Sequence, residues 1–369
     1  MFSILDILKK SKQEKKRIEL EAASGNNPDL GSNEGAPAPG SDEKSSAGFL
    51  IGKDNVNLSS VLTKEIISEN ARLLGEHYKE AHELALQIYS SDLKNFPEFK
   101  AKVSSLIERM TALISIGTKE SLRFSLSDYP ENDNYLAYHI VNVCFLSLEI
   151  GRVMGYDRAA LLDLGMAAFL HDIGMTRYAE LVNKTEALNA DEHKRIKQHP
   201  QAGLDILNQF SQEFPLRVFD AISQEHEHLD GSGYPKGLKA EEISEYPQII
   251  GVVDAYEAMT HRRPYRKKYN PAYAINVILN NKKSFSPKVI KVLIETFGIF
   301  PAGFLVRLNT KETALVYKNN PTSPLRPQIR VMFDQEGKEL KDVKIVDLLT
   351  TPLLYIEECL EYFKKPNGE

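Results

Sequence analysis

The 369-residue chain predicts a mainly α-helical protein with a small β-unit at its C-terminus. Two observations carry that prediction. Between about residues 57 and 300, apolar side chains recur at helical spacing, and Pro200, Pro247, Pro271 and Pro287 each stand where a helix would begin. After Pro301 the pattern changes to short alternating runs, FLVRLNT, ETALVYKNN and IRVMFDQEGKEL, with turn residues between them. Composition agrees with a folded chain, at 42 % hydrophobic and 26 % charged residues, and a net charge of −5 gives no global case for binding a nucleic-acid polymer.

The elements follow in order. Residues 1–22 place Phe2, Leu5 and Leu8 on one short helical face ahead of a lysine cluster. This reads as a frayed charged terminus or, over residues 1–20, as a peripheral anchor. Residues 23–50 are crowded with Gly, Pro, Ser and Asn and cannot bury enough apolar surface to offset their ordering entropy, so they are expected to be a disordered linker. Residues 57–125 form a helical N-terminal unit, with Leu74, Leu84 and Ile88 on an apolar face and a second helix over Phe99–Ile116. No motif assigns its role, which is expected to be sensing, packing, or contact with a second copy or a signalling partner.

Residues 126–300 carry the densest helical signals: His139–Met154, Arg158–His171 with Gly174 as its stop, a helix opening at Pro200, Leu216–Glu227, Pro247–Met259, Pro271–Leu279 and Pro287–Phe297. Residues 301–369 form the β-unit, with a closing helix expected around Leu353–Phe363. The longest apolar runs, Gly165–Leu170 and Ile249–Val253, are far short of the roughly 18 residues of a membrane span, so no transmembrane segment is expected. Only Cys144 and Cys359 occur, too far apart in sequence for a metal knuckle, which points to a reducing, cytoplasmic compartment.

The chemistry concentrates in the middle of the chain. Seven of the nine histidines lie between residues 139 and 261, together with the adjacent pair His171-Asp172. An imidazole beside a carboxylate that can bridge suits neighbouring Fe, Mn or Zn ions better than Ca. The series runs His139 in YLAYHIVNV, then HDIG, His199 in QHPQAG, EHEHLDGSGYPKGL, and IIGVVDAYEAMTHRRPYR. In order and spacing it resembles the HD-GYP domains, the bacterial subclass of HD phosphohydrolases whose characterised members hydrolyse the second messenger cyclic di-GMP.

The resemblance implies an all-helical HD-type metallophosphohydrolase fold for residues 126–300. It implies metal ligation by His139, His171, Asp172, His199, His226 and Asp254, with Asp172 bridging two divalent ions, Fe or Mn favoured, and with His171 and Asp172 at the heart of catalysis. Arg263 and Arg266 would contact substrate phosphates, as guanidinium forks suit phosphate oxygens, and Gly231, Gly233 and Tyr234 would shape the pocket loop. A hydroxide between the metals would then open cyclic di-GMP to pGpG and, after a second cleavage, GMP.

Three departures bear on that expectation. Met175 stands where the family usually writes lysine, which leaves a second reading open: a weakened or inactive domain that binds cyclic di-GMP or a partner protein as a signalling module. Glu225 replaces the first of the paired histidines, and is either a ligand that favours Fe or Mn or a solvated or outer glutamate. Tyr135 stands where trinuclear members carry glutamate, so two metals are expected. In isolation His139 on an apolar helix would read as a core histidine, whereas Asp254 within IIGVVDAY would be a costly buried carboxylate without a cation. His193, His228 and His261 match no ligand position and are expected at the surface.

Overall fold

The computed structural model describes residues 69–90, 96–114, 134–263 and 266–360. The terminal segment 1–22, the linker 23–50 and residues 57–68 of the N-terminal unit lie outside the described residues. Eleven helices are found among them: α1 (Glu69–Ser90), α2 (Phe96–Ile114), α3 (Tyr135–Val153), α4 (Arg158–Leu170), α5 (Ala179–Val182), α6 (Ala190–Ile196), α7 (His199–Leu207), α8 (Leu216–Gln224), α9 (Glu245–Thr260), α10 (Pro271–Asn280) and α11 (Pro287–Phe297).

Local signals set most of the starts. The Asn134 side chain accepts the Leu136 amide at the head of α3, and Asp157 accepts the Ala160 amide at the head of α4. Asn189 and Glu192 form a reciprocal capping box on α6. Pro200, Pro271 and Pro287 occupy the first turns of α7, α10 and α11, where a missing N–H costs nothing.

The helices share one hydrophobic core. Leu74, Leu84 and Ile88 of α1 and Leu106, Ile107 and Met110 of α2 are buried in the same cluster as Ile140 and Phe145 of α3, Phe169 of α4 and Ile250 of α9. At its centre lie α3 and the stretch Arg158–Val182, both long and apolar enough on average to cross a membrane although no unbroken run in them reaches that length. In this fold those windows are 83 % and 72 % buried inside the protein, as core helices are.

Gly174 does not end a helix as its position suggested. It lies in a 3₁₀ turn, Ile173–Tyr178, that crosses the start of α7 at backbone contact. A Cβ there would fall 1.9 Å from the His199 carbonyl oxygen. The absent side chain is what lets His171-Asp172 and His199 share one pocket.

The β-unit is a five-stranded antiparallel sheet in the order β4-β3-β2-β1-β5, formed by β1 (Leu305–Leu308), β2 (Thr313–Lys318), β3 (Gln328–Phe333), β4 (Glu339–Asp347) and β5 (Ile356–Leu360). The closing helix expected around Leu353–Phe363 is corrected by β5. The outer edge of β1 needs backbone partners, and Ile356–Leu360 supplies them in register from Leu305↔Leu360 to Leu308↔Ile356. Pairing also sets Glu357 against Lys311 at 2.6 Å and Glu358 against Arg307 at 3.2 Å. A small core of Val306, Val316, Ile329 and Val331 backs the sheet, and the Asn319 side chain ties it to the end of α11 by donating to the Phe297 carbonyl.

Candidate metal centre

Five segments converge at the middle of the helical core. Helix α3 brings His139, the end of α4 brings His171 and Asp172, the first turn of α7 brings His199, the end of α8 brings Glu225 and His226, and α9 brings Asp254. These seven residues fall into two groups: Asp172, His199, Glu225 and His226, and beside them His139, His171 and Asp254. Within each group one ligand atom per residue lies within 4.8 Å of every other. All are buried except Asp254, whose side chain is 17 % exposed.

Asp172 faces both groups. Its Oδ1 is 3.3 Å from His199 Nε2, while Oδ2 is 3.5 Å from His171 Nε2 and 3.6 Å from His139 Nε2. Asp254 spans them similarly, with Oδ1 3.1 Å from His139 Nε2 and Oδ2 4.0 Å from His226 Nδ1. Ligand atoms held about 2.0–2.2 Å from one ion lie roughly 3.0–3.6 Å from each other. The observed separations, including His199 Nε2 to Glu225 Oε1 at 3.3 Å and to His226 Nε2 at 3.1 Å, match that spacing.

The imidazoles are oriented to present bare lone pairs. His171 Nδ1–H donates to the Ala168 carbonyl at 2.7 Å, and His199 Nδ1–H to the Ile196 carbonyl at 2.8 Å, which leaves each Nε2 as an acceptor pointing inward. His171 Nε2, Asp172 Oδ1 and Glu225 Oε2 are buried and have no hydrogen-bond partner in the protein. Buried polar atoms are normally satisfied, and cations are what a pocket of lone pairs and carboxylates can satisfy. Four carboxylates, Asp172, Glu225, Asp254 and Glu257, gather here, and the Arg263 guanidinium lies beside Glu257, so the charge balance also fits two divalent ions.

The ionisation of these groups reflects the same crowding. Burial, then the carboxylates of Asp172 and Asp254, pushes the Glu225 carboxyl well above its usual range. Burial acts the same way on Asp172, but His171 and His139 outweigh it and hold Asp172 well below the usual carboxylate value. For His226 burial depresses the imidazole far below its ordinary value, which keeps it neutral and able to ligate. His139 goes the other way: burial disfavours its charge, yet Glu257 overrides it.

Glu257 is a buried residue of this candidate site that sequence reading missed. Its Oε2 accepts the His139 Nδ1 proton, its Oε1 accepts from Asn142 Nδ2 at 3.1 Å, and its side chain is fully buried. A carboxylate behind a ligating histidine fixes the ring and raises its basicity. Its position three residues after Asp254, on the same face of α9, was the available signal.

Two of the histidines expected at the surface are inside. His261 is 1 % exposed, with Nδ1 3.0 Å from the Glu257 carbonyl, because the end of α9 packs against α3. His228 is 6 % exposed and bonds the Ser232 hydroxyl at 3.0 Å. Among the expected substrate contacts, Arg263 is buried behind the centre, 3.5 Å from Glu257 and 3.2 Å from His139 Nδ1, and lies over the Tyr135 ring. Arg266 is half-buried and caps α9, donating to the carbonyls of Ala258, Met259 and Lys267.

The loop after His226 lies against the ligands. Gly231 has a φ of +77°, and a Cβ on Gly233 would fall 2.5 Å from the His226 carbonyl oxygen, so the chain can fold back over its own ligand segment only with glycine there. Tyr234 then stacks on the His226 ring at 4.8 Å. Glu227 clamps the loop by accepting the amides of Lys236 and Leu238. Glu225 is fully buried among the ligands, so the solvated alternative for it does not hold. Met175 is 1 % exposed and packs in the core.

Comparison with known proteins agrees with this geometry. Residues 106–289 match the HD domain family, and residues 305–363 match the KOW domain associated with the HD domain. The cyclic di-GMP phosphodiesterase PA4108 of Pseudomonas aeruginosa is 32 % identical over 249 residues, covering 67 % of this chain and 59 % of the relative. The cyclic di-GMP phosphodiesterase PdeB of Borreliella burgdorferi is 31 % identical over 216 residues, covering 58 % of this chain and 55 % of the relative. This chain thus spans a little over half the length of either. In fold it is similar to Bd1817, an HDG"Y"P protein from Bdellovibrio bacteriovorus, with a TM-score of 0.51 and 17 % identity over 64 % of this chain and 75 % of that one. The chain is an HD domain protein related to the HD-GYP cyclic di-GMP phosphodiesterases, a mainly helical domain followed by a small KOW-like sheet.

Proposed function

We propose that this chain is a metal-dependent phosphodiesterase that opens cyclic di-GMP to pGpG and, in a second cleavage, to GMP. The observation that carries the reading is the Asp172 carboxylate, with one oxygen toward each ligand group. Two divalent ions at such a centre supply an acidified water and neutralise charge on the phosphoryl oxygens.

The chain's own residues do the rest. His171 and His199 keep their Nε2 lone pairs inward through Nδ1–H bonds to main-chain carbonyls. Glu257 holds His139 in the same sense. Asp172, Asp254 and Glu225 supply the negative charge that retains divalent ions, and Glu225 among the ligands favours Fe or Mn. The Gly231–Tyr234 loop walls the pocket beside His226. We assign phosphate contact to Arg266, the more exposed of the two arginines, which would exchange main-chain carbonyls for phosphate oxygens. Arg263 acts from behind, beside Glu257. Lys197, 5.3 Å from the centroid of the Tyr234 ring, brings a cation to the loop that Met175 does not supply. Residues 1–20 are proposed as a peripheral docking segment of a cytoplasmic protein.

One observation favours a second reading, binding without turnover. Met175 is buried in the core and itself brings the scissile phosphate no positive charge, and loss of one such contact slows comparable reactions by about 10²–10³. Anaerobic turnover of cyclic di-GMP, side by side with other cyclic dinucleotides, by Fe²⁺- or Mn²⁺-loaded protein separates the two. Chromatography is expected to show pGpG from the wild type and none from His171→Ala. Saturable binding of cyclic di-GMP with no product, and product gained in Met175→Lys, would establish the binding module instead. Preferential cleavage of another cyclic dinucleotide would correct the substrate.

A further inference from the structure

We propose that Tyr78, on the N-terminal helix α1, is a positioning residue of the metal centre. Its hydroxyl sets the Asn142 amide, which sets the Glu257 carboxylate that holds His139. The inference rests on the metal-centre reading above and adds to it a residue from outside the HD match, which begins at residue 106.

The geometry orders itself in two layers across α3 and α9. His139 and Asp254 form the inner layer. One turn behind them, Asn142 on α3 and Glu257 and His261 on α9 form an outer one, as the three- and four-residue spacings require. Asn142 and Glu257 are both 0 % exposed. The Tyr78 hydroxyl enters this layer from α1 and lies 2.6 Å from Asn142 Oδ1, while Asn142 Nδ2 lies 3.1 Å from Glu257 Oε1 and 3.4 Å from His261 Nε2.

Each bond has one chemically sensible direction. Glu257 is a carboxylate and only accepts, so Asn142 must turn its NH₂ toward it. Its other neighbour on that side, His261 Nε2, is an acceptor because His261 Nδ1–H is directed at Glu257. The Asn142 carbonyl oxygen therefore faces Tyr78, which must donate. Glu257 and His261 thus choose the amide orientation, and the Tyr78 hydroxyl pins the amide in place: without that bond the buried Asn142 oxygen lacks this donor and the amide can shift. A shifted amide loosens Glu257 from His139 Nδ1, and the His139 ring loses its fixed angle. Helix α1 is seated firmly enough to deliver the hydroxyl: the His82 ring lies 3.9 Å from that of Tyr138, and the Tyr78 ring 5.6 Å from that of Phe145, both on α3.

The test is a Mn²⁺ titration of the full chain under chelator competition, with Co²⁺ visible absorption as a report on ligand geometry. Removal of a direct outer partner of a ligating histidine costs about 10–100-fold in metal affinity, and Tyr78 stands two bonds further out, beyond Asn142 and Glu257, so Tyr78→Phe is expected to weaken binding by about 3–10-fold. The Co²⁺ spectrum should shift. Asn142→Ala should weaken binding at least as much, and the double variant no more than Asn142→Ala alone, because both act through one link. Ile88→Val, which trims the core packing of α1 ten residues away from Tyr78, should lower Tm and leave the affinity within about twofold. Unchanged affinity and spectrum in Tyr78→Phe, additive losses in the double variant, or an equal loss in Ile88→Val would each reduce Tyr78 to a packing residue. A wild type that takes up no divalent ion would refute the centre itself, an outcome distinct from all of these.

Discussion

Asp172→Ala is expected to abolish the metal centre rather than merely weaken it. Its two oxygens are turned to different ligand groups, so the substitution removes one ligand from each at once. A metal centre lowers a hydrolytic barrier by several kcal/mol, and about 4 kcal/mol corresponds to roughly 10³ in rate. Elemental analysis of purified protein should find two ions per wild-type chain and fewer than one per Asp172→Ala chain, with cyclic di-GMP turnover down by at least about 10³-fold. The fold should survive, since the substitution also relieves the crowding of buried carboxylates. Retention of both ions, or turnover within threefold of the wild type, would sink the assignment of Asp172 as the bridge.

Glu257 has the second largest expected effect, and it divides between function and stability. Glu257→Gln keeps the shape, replaces the charge that pairs His139 and Arg263, and leaves the His139 ring less basic. Affinity for divalent ions should fall by about 10–100-fold. Glu257→Leu goes further by leaving the Arg263 guanidinium, only 1 % exposed, without its carboxylate. Breaking a buried pair from one side costs about 3–5 kcal/mol, which thermal or urea denaturation would read directly. A Glu257→Leu protein as stable as the wild type, binding metal as tightly, would show that this carboxylate is incidental.

The candidate ligand series came from the resemblance to the HD-GYP domains, and that resemblance rests on local motifs: a histidine before an aspartate, a histidine before a proline, a glycine-rich loop behind a histidine. Each sits at a helix end that caps and prolines announce, and the structure gathers all seven candidate ligands into two adjoining groups. The alternation after Pro301 likewise announced strands. Residues whose roles depend on distant partners could not be read in the same way. Glu257 looks like any helical glutamate until α9 is laid against α3 and His139, 118 positions earlier, comes within reach. His261 and His228 match no motif, and long-range packing alone puts them inside. The resemblance makes Arg263 of RRPYR a phosphate contact, and only the tertiary structure shows it 3.5 Å from Glu257 as well. Leu353–Phe363 has enough apolar residues for a helix, and only the open edge of β1 makes Ile356–Leu360 a strand.

The centre draws on five segments spread from His139 to Asp254, and that dispersal has a thermodynamic consequence. No short stretch of the unfolded chain can hold an ion in this arrangement, so a metal held by these residues would bind the native state and hardly the denatured one. Linkage then makes each ion a reagent for folding: at a free concentration 100 times its dissociation constant it adds about 2.7 kcal/mol to the stability of the whole helical core. Supply of an ion that binds there would therefore govern not only any turnover that depends on it but how long each copy survives unfolding and proteolysis. Starvation for the metal would lower the abundance of the protein together with its activity.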